Sequence, residues 1–262
     1  MDISSGGSRL AAMMLAGVGA YQLGMVALST MRGFLKYCVL PRRNLLKRYG
    51  GGWALVTGAS DGLGKEYARN LARSGFNVIL MARDEDKLDL VAKEIKDDFK
   101  VNTMVIVYDF SRLATLASVE ELKKLLMKRM PSDVSILVNN VGCSKVGRLD
   151  KQTVWDIMRQ INVNINSQTY MTHIMLPMLL ERPQKSAIIN VASVAAETLS
   201  GFVPIYSATK SYNLALGLSL HDSYKDKIDV LTVTPHGVKS QIYPGHQAFT
   251  ISAATHGKAV ID

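Results

Sequence analysis

The stretch WALVTGASDGLGKEYARNLARSG, residues 53–75, decides the architecture. Its apolar start, WALVT, runs straight into a turn holding Gly58, Gly62 and Gly64, and the turn opens a segment of helical pattern. A strand, a glycine turn and a helix in that order form a natural seat for a pyrophosphate. Backbone N–H groups and the positive end of the helix converge there, with no Cβ in the way. The spacing is G-x-x-x-G-x-G, which departs from the more familiar G-x-G-x-x-G. A glycine-rich turn without a ligand is the plainer alternative, and the flanking strand and helix count against it.

The same rhythm continues along the chain. Apolar runs occur at 53–57, 76–81 (FNVILM), 103–108 (TMVIVY), 134–139 (VSILVN), 187–192 (AIINVA) and 229–234 (DVLTVT). Their continuous Val, Ile and Leu content suits strands covered on both faces. Helix-length segments separate them, among them DKLDLVAKEIKDDF and the long stretch 153–182. Alternation of this kind predicts an α/β fold, a doubly wound parallel sheet with right-handed crossovers.

The second run ends LMARDEDK. A site for NAD usually has an acidic residue here to take the adenosine ribose hydroxyls. This chain has Ala82 and then Arg83, whose planar fork suits a 2′-phosphate, so NADP(H) is favoured over NAD(H). Asp84 is read as the cap of the next helix. Lys65 adds positive potential near the turn, or is an ordinary solvated helix residue.

Further on, YSATK (206–210) places Tyr206 and Lys210 one helical turn apart on one face. Alone this pair has little specificity. Together with TGASDGLG after the first strand, NNVG (139–142) after the fourth and Ser193 after the fifth, it resembles the short-chain dehydrogenase/reductase family over about residues 51 to 250. The resemblance implies a Rossmann-like fold and hydride transfer between a nicotinamide and a carbonyl or alcohol. It implies that Ser193, thirteen positions before Tyr206, stabilises charge on the substrate oxygen. Tyr206 is then the proton donor, its phenol pKa lowered from about 10 by Lys210. Asn164 matches the asparagine that supports a water relay behind the lysine, with Asn162 as a neighbouring rival. The cofactor set so implied is Gly58, Ser60, Gly62, Leu63, Gly64, Arg83, Asp109, Asn139, Gly142, Tyr206, Lys210, Pro235, Val238 and Ser240. Within it Asp109 meets the adenine, Asn139 and Gly142 steady the central sheet, and Val238 and Ser240 meet the carboxamide. His236 replaces the usual glycine after Pro235 and reads as a loop histidine.

Composition frames these motifs. The chain has 262 residues, 48% hydrophobic and 20% charged, as an ordered globular protein should. The formal charge of +9 does not indicate nucleic acid, because Arg32, Lys36, Arg42, Arg43, Lys47 and Arg48 cluster in a basic connector, residues 32–50. Residues 10–31, LAAMMLAGVGAYQLGMVALSTM, form an uncharged run long enough to cross a bilayer as a helix. A membrane anchor is preferred to a cleaved targeting peptide or an interfacial helix. The basic flank puts residues 32 onward on the cytosolic side. Cys38 and Cys143 read as free thiols in a reduced compartment, and no metal-binding spacing occurs.

The anchor, the connector and the motifs look most like the membrane-bound branch of very-long-chain 3-oxoacyl-CoA reductases and 17β-hydroxysteroid dehydrogenases. That resemblance implies NADPH-dependent reduction of a ketone on a lipid-like substrate at the endoplasmic reticulum, with the mitochondrial inner membrane as the alternative. Residues 51–262 make the NADP-binding domain; the family's pattern continues through a further helix and a seventh strand, so either this sequence is incomplete or the protein has lost that strand and part of its substrate lid. A membrane-anchored accessory subunit that binds NADP(H) structurally is the competing reading. The two long helices carrying Asn164 and Tyr206 are where the family commonly forms homodimers; a partner within a membrane complex is the other possibility.

Overall fold

The computed structural model describes residues 4–34, 44–198, 200–236 and 252–261. It divides into two units, residues 1–43 and 44–262. In the first, a single helix, α1, spans Ser4–Phe34. Its segment Met13–Met31 is long and apolar enough to cross a membrane, with a mean hydropathy of 1.3. Residues 35–43 of the connector, Cys38 among them, lie outside the described residues.

The second unit is built on six parallel strands: β1 (Trp53–Thr57), β2 (Asn77–Ala82), β3 (Thr103–Val107), β4 (Val134–Asn139), β5 (Ser186–Val191) and β6 (Ile228–Val233). They lie in the order β3-β2-β1-β4-β5-β6, every pairing parallel. The reversal of winding falls between β1 and β4, where this kind of sheet opens a crevice at its carboxyl end. All six apolar runs form strands, with ends that match or shift by one residue.

Side chains alternate across the pleat and so feed two separate cores. Ala54, Val56, Val78, Leu80, Ile136 and Val138 pack on one side, against Tyr67 and Leu71 of helix α3 (Gly62–Arg73) and Leu88 and Ile95 of α4 (Glu85–Phe99). Leu55, Ile79, Met81, Leu137 and Ile188 face the other way. They meet Leu122 and Leu126 of α5 (Leu116–Arg129) and Met171, Met175 and Leu179 of α7 (Ser167–Glu181). Each fully buried leucine contributes roughly 1.5–3 kcal/mol, so the doubly covered sheet is the rigid frame for the loops at its end. The helices start where local chemistry directs. Asp84 caps α4 by accepting from Lys87 N at 3.2 Å, as its position beside the second strand suggests. Thr115 and Ser118 form a capping box for α5.

A short helix, α2 (Leu45–Tyr49), joins the connector to the opposite end of the sheet. Arg48, the Tyr49 hydroxyl and Lys185 all engage the Asp229 carboxylate of β6. Burial pushes that carboxyl up, but hydrogen bonds from Arg48, Tyr49 and Lys185 outweigh it and hold the pKa below the usual range. The long segment 153–182 divides into α6 (Val154–Ile161), a π-helical turn (Asn162–Asn166) and α7. Two more helices follow among the described residues. The first is α8 (Pro204–Tyr224); α9 (Ala253–Ile261) seats Gly257 against Glu66 and Asn70 of α3.

Candidate active site

The glycine turn is built for close approach. Gly58 has φ +66°, and its N–H donates to Met81 O at 2.7 Å. A Cβ on Gly64 would collide with the Gly58 carbonyl and the Asn140 amide, so only glycine lets α3 begin this near to β1. No side chain caps the first turn of α3, because Asp61 stands at the N-cap without making that bond. The first N–H groups are left for an anion, where the helix dipole also favours one. The cradle and the uncapped helix start fit a dinucleotide phosphate. Ser60 and Leu63 lie partly buried on this turn, Leu63 against the adjoining core.

Two residues that sequence reasoning passed over hold the turn in place. Thr57 Oγ1 donates to Val138 O at 3.2 Å and accepts from the N–H groups of Asn140 and Val141 at 3.0 and 3.1 Å. Asn140 Nδ2 donates to Thr57 O at 2.9 Å and Gly58 O at 3.2 Å. Together they lock the ends of β1 and β4 at the crevice. The second asparagine of NNVG was the available signal.

The other cofactor candidates surround this turn unevenly. Arg83 stands exposed just past β2. Lys65 is partly buried on α3 and pairs with Glu94 of α4 at 2.7 Å. Asp109 follows β3 and accepts from Ser111 N at 3.0 Å. Asn139 Nδ2 donates to Asn190 Oδ1 at 3.0 Å and to Thr172 Oγ1 at 2.9 Å, which ties β4 to β5 and α7. The Pro235 carbonyl accepts from Val194 N at 3.1 Å and so joins the exit of β6 to the Ser193 turn. His236 is exposed, while Val238 and Ser240 lie outside the described residues.

The four catalytic candidates come from three elements. Ser193 leaves β5 and accepts from Ala195 N at 3.2 Å. Tyr206 is in the first turn of α8, which starts with Pro204. Against the lowering by Lys210 expected from the sequence, burial raises its phenol pKa, and a hydrogen bond with Ser193 pulls it only partly back. Lys210 is buried one turn on, where its Nζ donates to Val191 O at 2.7 Å. Burial lowers its pKa to about 8. A Cβ on Gly142 would lie 3.5 Å from both Asn164 Oδ1 and Lys210 Nζ, so Gly142 sits where asparagine and lysine meet. The rival Asn162 donates instead to Ser111 O at 2.9 Å, toward β3. The Cys143 thiol is buried beside them, and that burial pushes its pKa up.

A phenol, a hydroxyl and a buried ammonium thus gather at the carboxyl end of the sheet, beside a phosphate cradle. The profile of the short chain dehydrogenase family matches residues 52–248. The rat (Rattus norvegicus) protein named inactive hydroxysteroid dehydrogenase-like protein 1 is 38% identical over 207 residues, 77% of this chain and 60% of that protein. The human very-long-chain 3-oxoacyl-CoA reductase is 39% identical over 201 residues, 73% of this chain and 61% of the reductase. This chain therefore spans about three fifths of the length of these relatives. Among solved structures, a short-chain dehydrogenase from Sphingobium yanoikuyae in complex with NADPH is 28% identical. It superposes with a TM-score of 0.72 over 80% of this chain and 83% of its own. The chain belongs to the short-chain dehydrogenase family, in the branch of very-long-chain 3-oxoacyl-CoA reductases and hydroxysteroid dehydrogenase-like proteins.

Proposed function

We propose that this protein is an NADPH-dependent reductase of a ketone on a lipid-like substrate, either a 3-oxoacyl-CoA or a ketosteroid. The observation that carries this reading is the presence of Ser193, Tyr206 and Lys210 together at the end of β5 and the start of α8. When bound, the nicotinamide cofactor supplies the hydride. Gly58, Ser60, Gly62, Leu63 and Gly64 would hold its phosphates, and Arg83 would take the 2′-phosphate. The Ser193 hydroxyl donates to the substrate oxygen and stabilises the charge that develops there. The Tyr206 hydroxyl gives its proton to that oxygen. The Lys210 ammonium, on the same face of the helix, favours the phenolate that remains. Asn164 supports the lysine from the other side of Gly142.

Apolar α1 and the basic stretch after it support a membrane anchor with residues 32 onward in the cytosol, and the endoplasmic reticulum is the membrane we propose. The test of function is NADPH oxidation with a 3-oxoacyl-CoA and a ketosteroid. Turnover abolished in Tyr206→Phe is the expected result, and full turnover in that variant sinks the mechanism. The rat relative's name as inactive favours a second reading, an anchored subunit that holds NADP(H) structurally. NADPH binding without turnover of any carbonyl in a broad panel would select it. Alkaline carbonate extraction tests the anchor, which release into the supernatant would contradict.

A further inference from the structure

Both amide hydrogens of Asn164 are committed. Nδ2 donates to the Cys143 carbonyl and to the Thr209 hydroxyl, each at 2.9 Å, and Oδ1 accepts from Cys143 N at 2.8 Å. Its main-chain carbonyl accepts from Asn213 Nδ2 at 2.8 Å. The Thr209 hydroxyl in turn donates to Tyr206 O at 2.8 Å. Asn164, Thr209, Lys210 and Asn213 are all buried. A threonine that bonds to its own helix is common and local. One that also takes a hydrogen from a side chain 45 residues away joins two elements.

We propose that Thr209 is a positioning residue for proton transfer. Its hydroxyl locks Asn164, and through it the Gly142–Cys143 loop, against the helical turn that carries Tyr206 and Lys210. Asn213 completes the clamp one turn further along α8. Asn164, Thr209 and Asn213 together fix the phenol and the ammonium relative to the loop that lines the cofactor side, so the geometry of the donor is set before substrate arrives. A small misplacement of such a group slows chemistry far more than it weakens binding. The inference rests on the reading of Tyr206 as proton donor.

The test uses full-length protein loaded with NADP+ and labelled with 13C at the tyrosine ring, the Tyr206 resonance being identified by its loss in Tyr206→Phe. Thr209→Val is expected to move the apparent pKa of Tyr206 upward by about half a pH unit or more and to lower kcat by roughly tenfold or more, with NADPH affinity kept within about twofold. Thr209→Ser, which restores the hydroxyl, is expected to recover both. An unchanged Tyr206 titration in Thr209→Val overturns the proposal. So does failure of Thr209→Ser to recover, or a parallel loss of NADPH binding and melting temperature, either of which assigns Thr209 to the scaffold alone. Should Thr209→Val not fold, the wild-type Asn164 amide decides: its hydrogens must exchange slowly with solvent, and fast exchange overturns the clamp. If the wild type reduces no carbonyl, the functional reading has failed, and the Tyr206 titration still judges Thr209 by itself.

Discussion

Lys210 Nζ lies 5.7 Å from the centroid of the Tyr206 ring, while its hydrogen bond goes to the Val191 carbonyl. Burial acts on the two groups in opposite senses along the pH scale, lowering the ammonium to about 8 and raising the phenol. Both are thereby pushed toward their neutral forms. The protein pays for this arrangement in stability, and the cost has a measurable pH dependence.

The folded lysine has a pKa near 8 and the unfolded one about 10.4. Between these values the unfolded chain binds more protons, so this group makes stability rise with pH from about 8 to about 10. Below pH 8 both states are charged and the penalty is fully present, on the order of 3 kcal/mol. Lys210→Met should therefore be more stable than wild type to urea at pH 7, and the gap should close toward pH 10. Equal pH slopes in the two proteins would remove Lys210 as the source.

On the proposed mechanism, removing the Tyr206 or Ser193 hydroxyl should separate chemistry from binding. Tyr206→Phe is expected to lower kcat about 10²- to 10⁴-fold, and Ser193→Ala about 10²- to 10³-fold. Neither side chain belongs to the glycine cradle, so NADPH titration by fluorescence should still reach saturation in both variants. Loss of NADPH binding alongside activity would point to a collapsed site instead.

Gly64→Ala tests the cradle. The added methyl meets the Gly58 carbonyl and the Asn140 amide, both held by the Thr57 latch. Overpacking of this kind costs about 1–3 kcal/mol. A lowered melting temperature together with weakened NADPH binding is the expected outcome. A variant that binds NADPH as wild type does would show that the turn yields easily.

Arg83→Ala addresses the choice of cofactor. Loss of one charge-assisted contact, worth about 1.5–3 kcal/mol, should weaken NADPH by roughly ten- to a hundredfold. NADH, which has no 2′-phosphate, should be affected little. Isothermal titration with both cofactors gives the ratio, and an equal loss for the two would reject the assignment.

Much of this was legible in the sequence because it is local. The runs at 53–57 and 134–139 form strands with those bounds, and the other four shift by a residue at most at each end. Their composition reports burial on two faces, and strand pairing needs nothing more. The glycine turn and YSATK are equally local. What sequence could not supply lies in contacts between distant residues. Thr57 and Asn140 are 83 positions apart, and a threonine ending a strand carries no mark of the latch it makes. Asn162 and Asn164 were rivals because periodicity treats 153–182 as one helix. Two positions apart, they point to nearly opposite faces of any helix, and only the fold around the wide turn between α6 and α7 shows that Asn162 meets Ser111 and Asn164 lies toward Lys210.

That wide turn has a consequence for how the chain tolerates change. A π-helical turn carries one residue more than its α-helical neighbour, and one residue is worth about 100° of rotation. Deleting any single residue from Asn162–Asn166 would let α6 and α7 fuse into one continuous rod. α7 would keep Met171, Met175 and Leu179 on the sheet, because a wide turn absorbs its extra residue within one turn and leaves the flanking helices in phase. The loss would fall on the turn itself, where Asn164 reaches the Cys143 main chain and the Thr209 hydroxyl. A one-residue deletion there should spare the core while costing the site its asparagine.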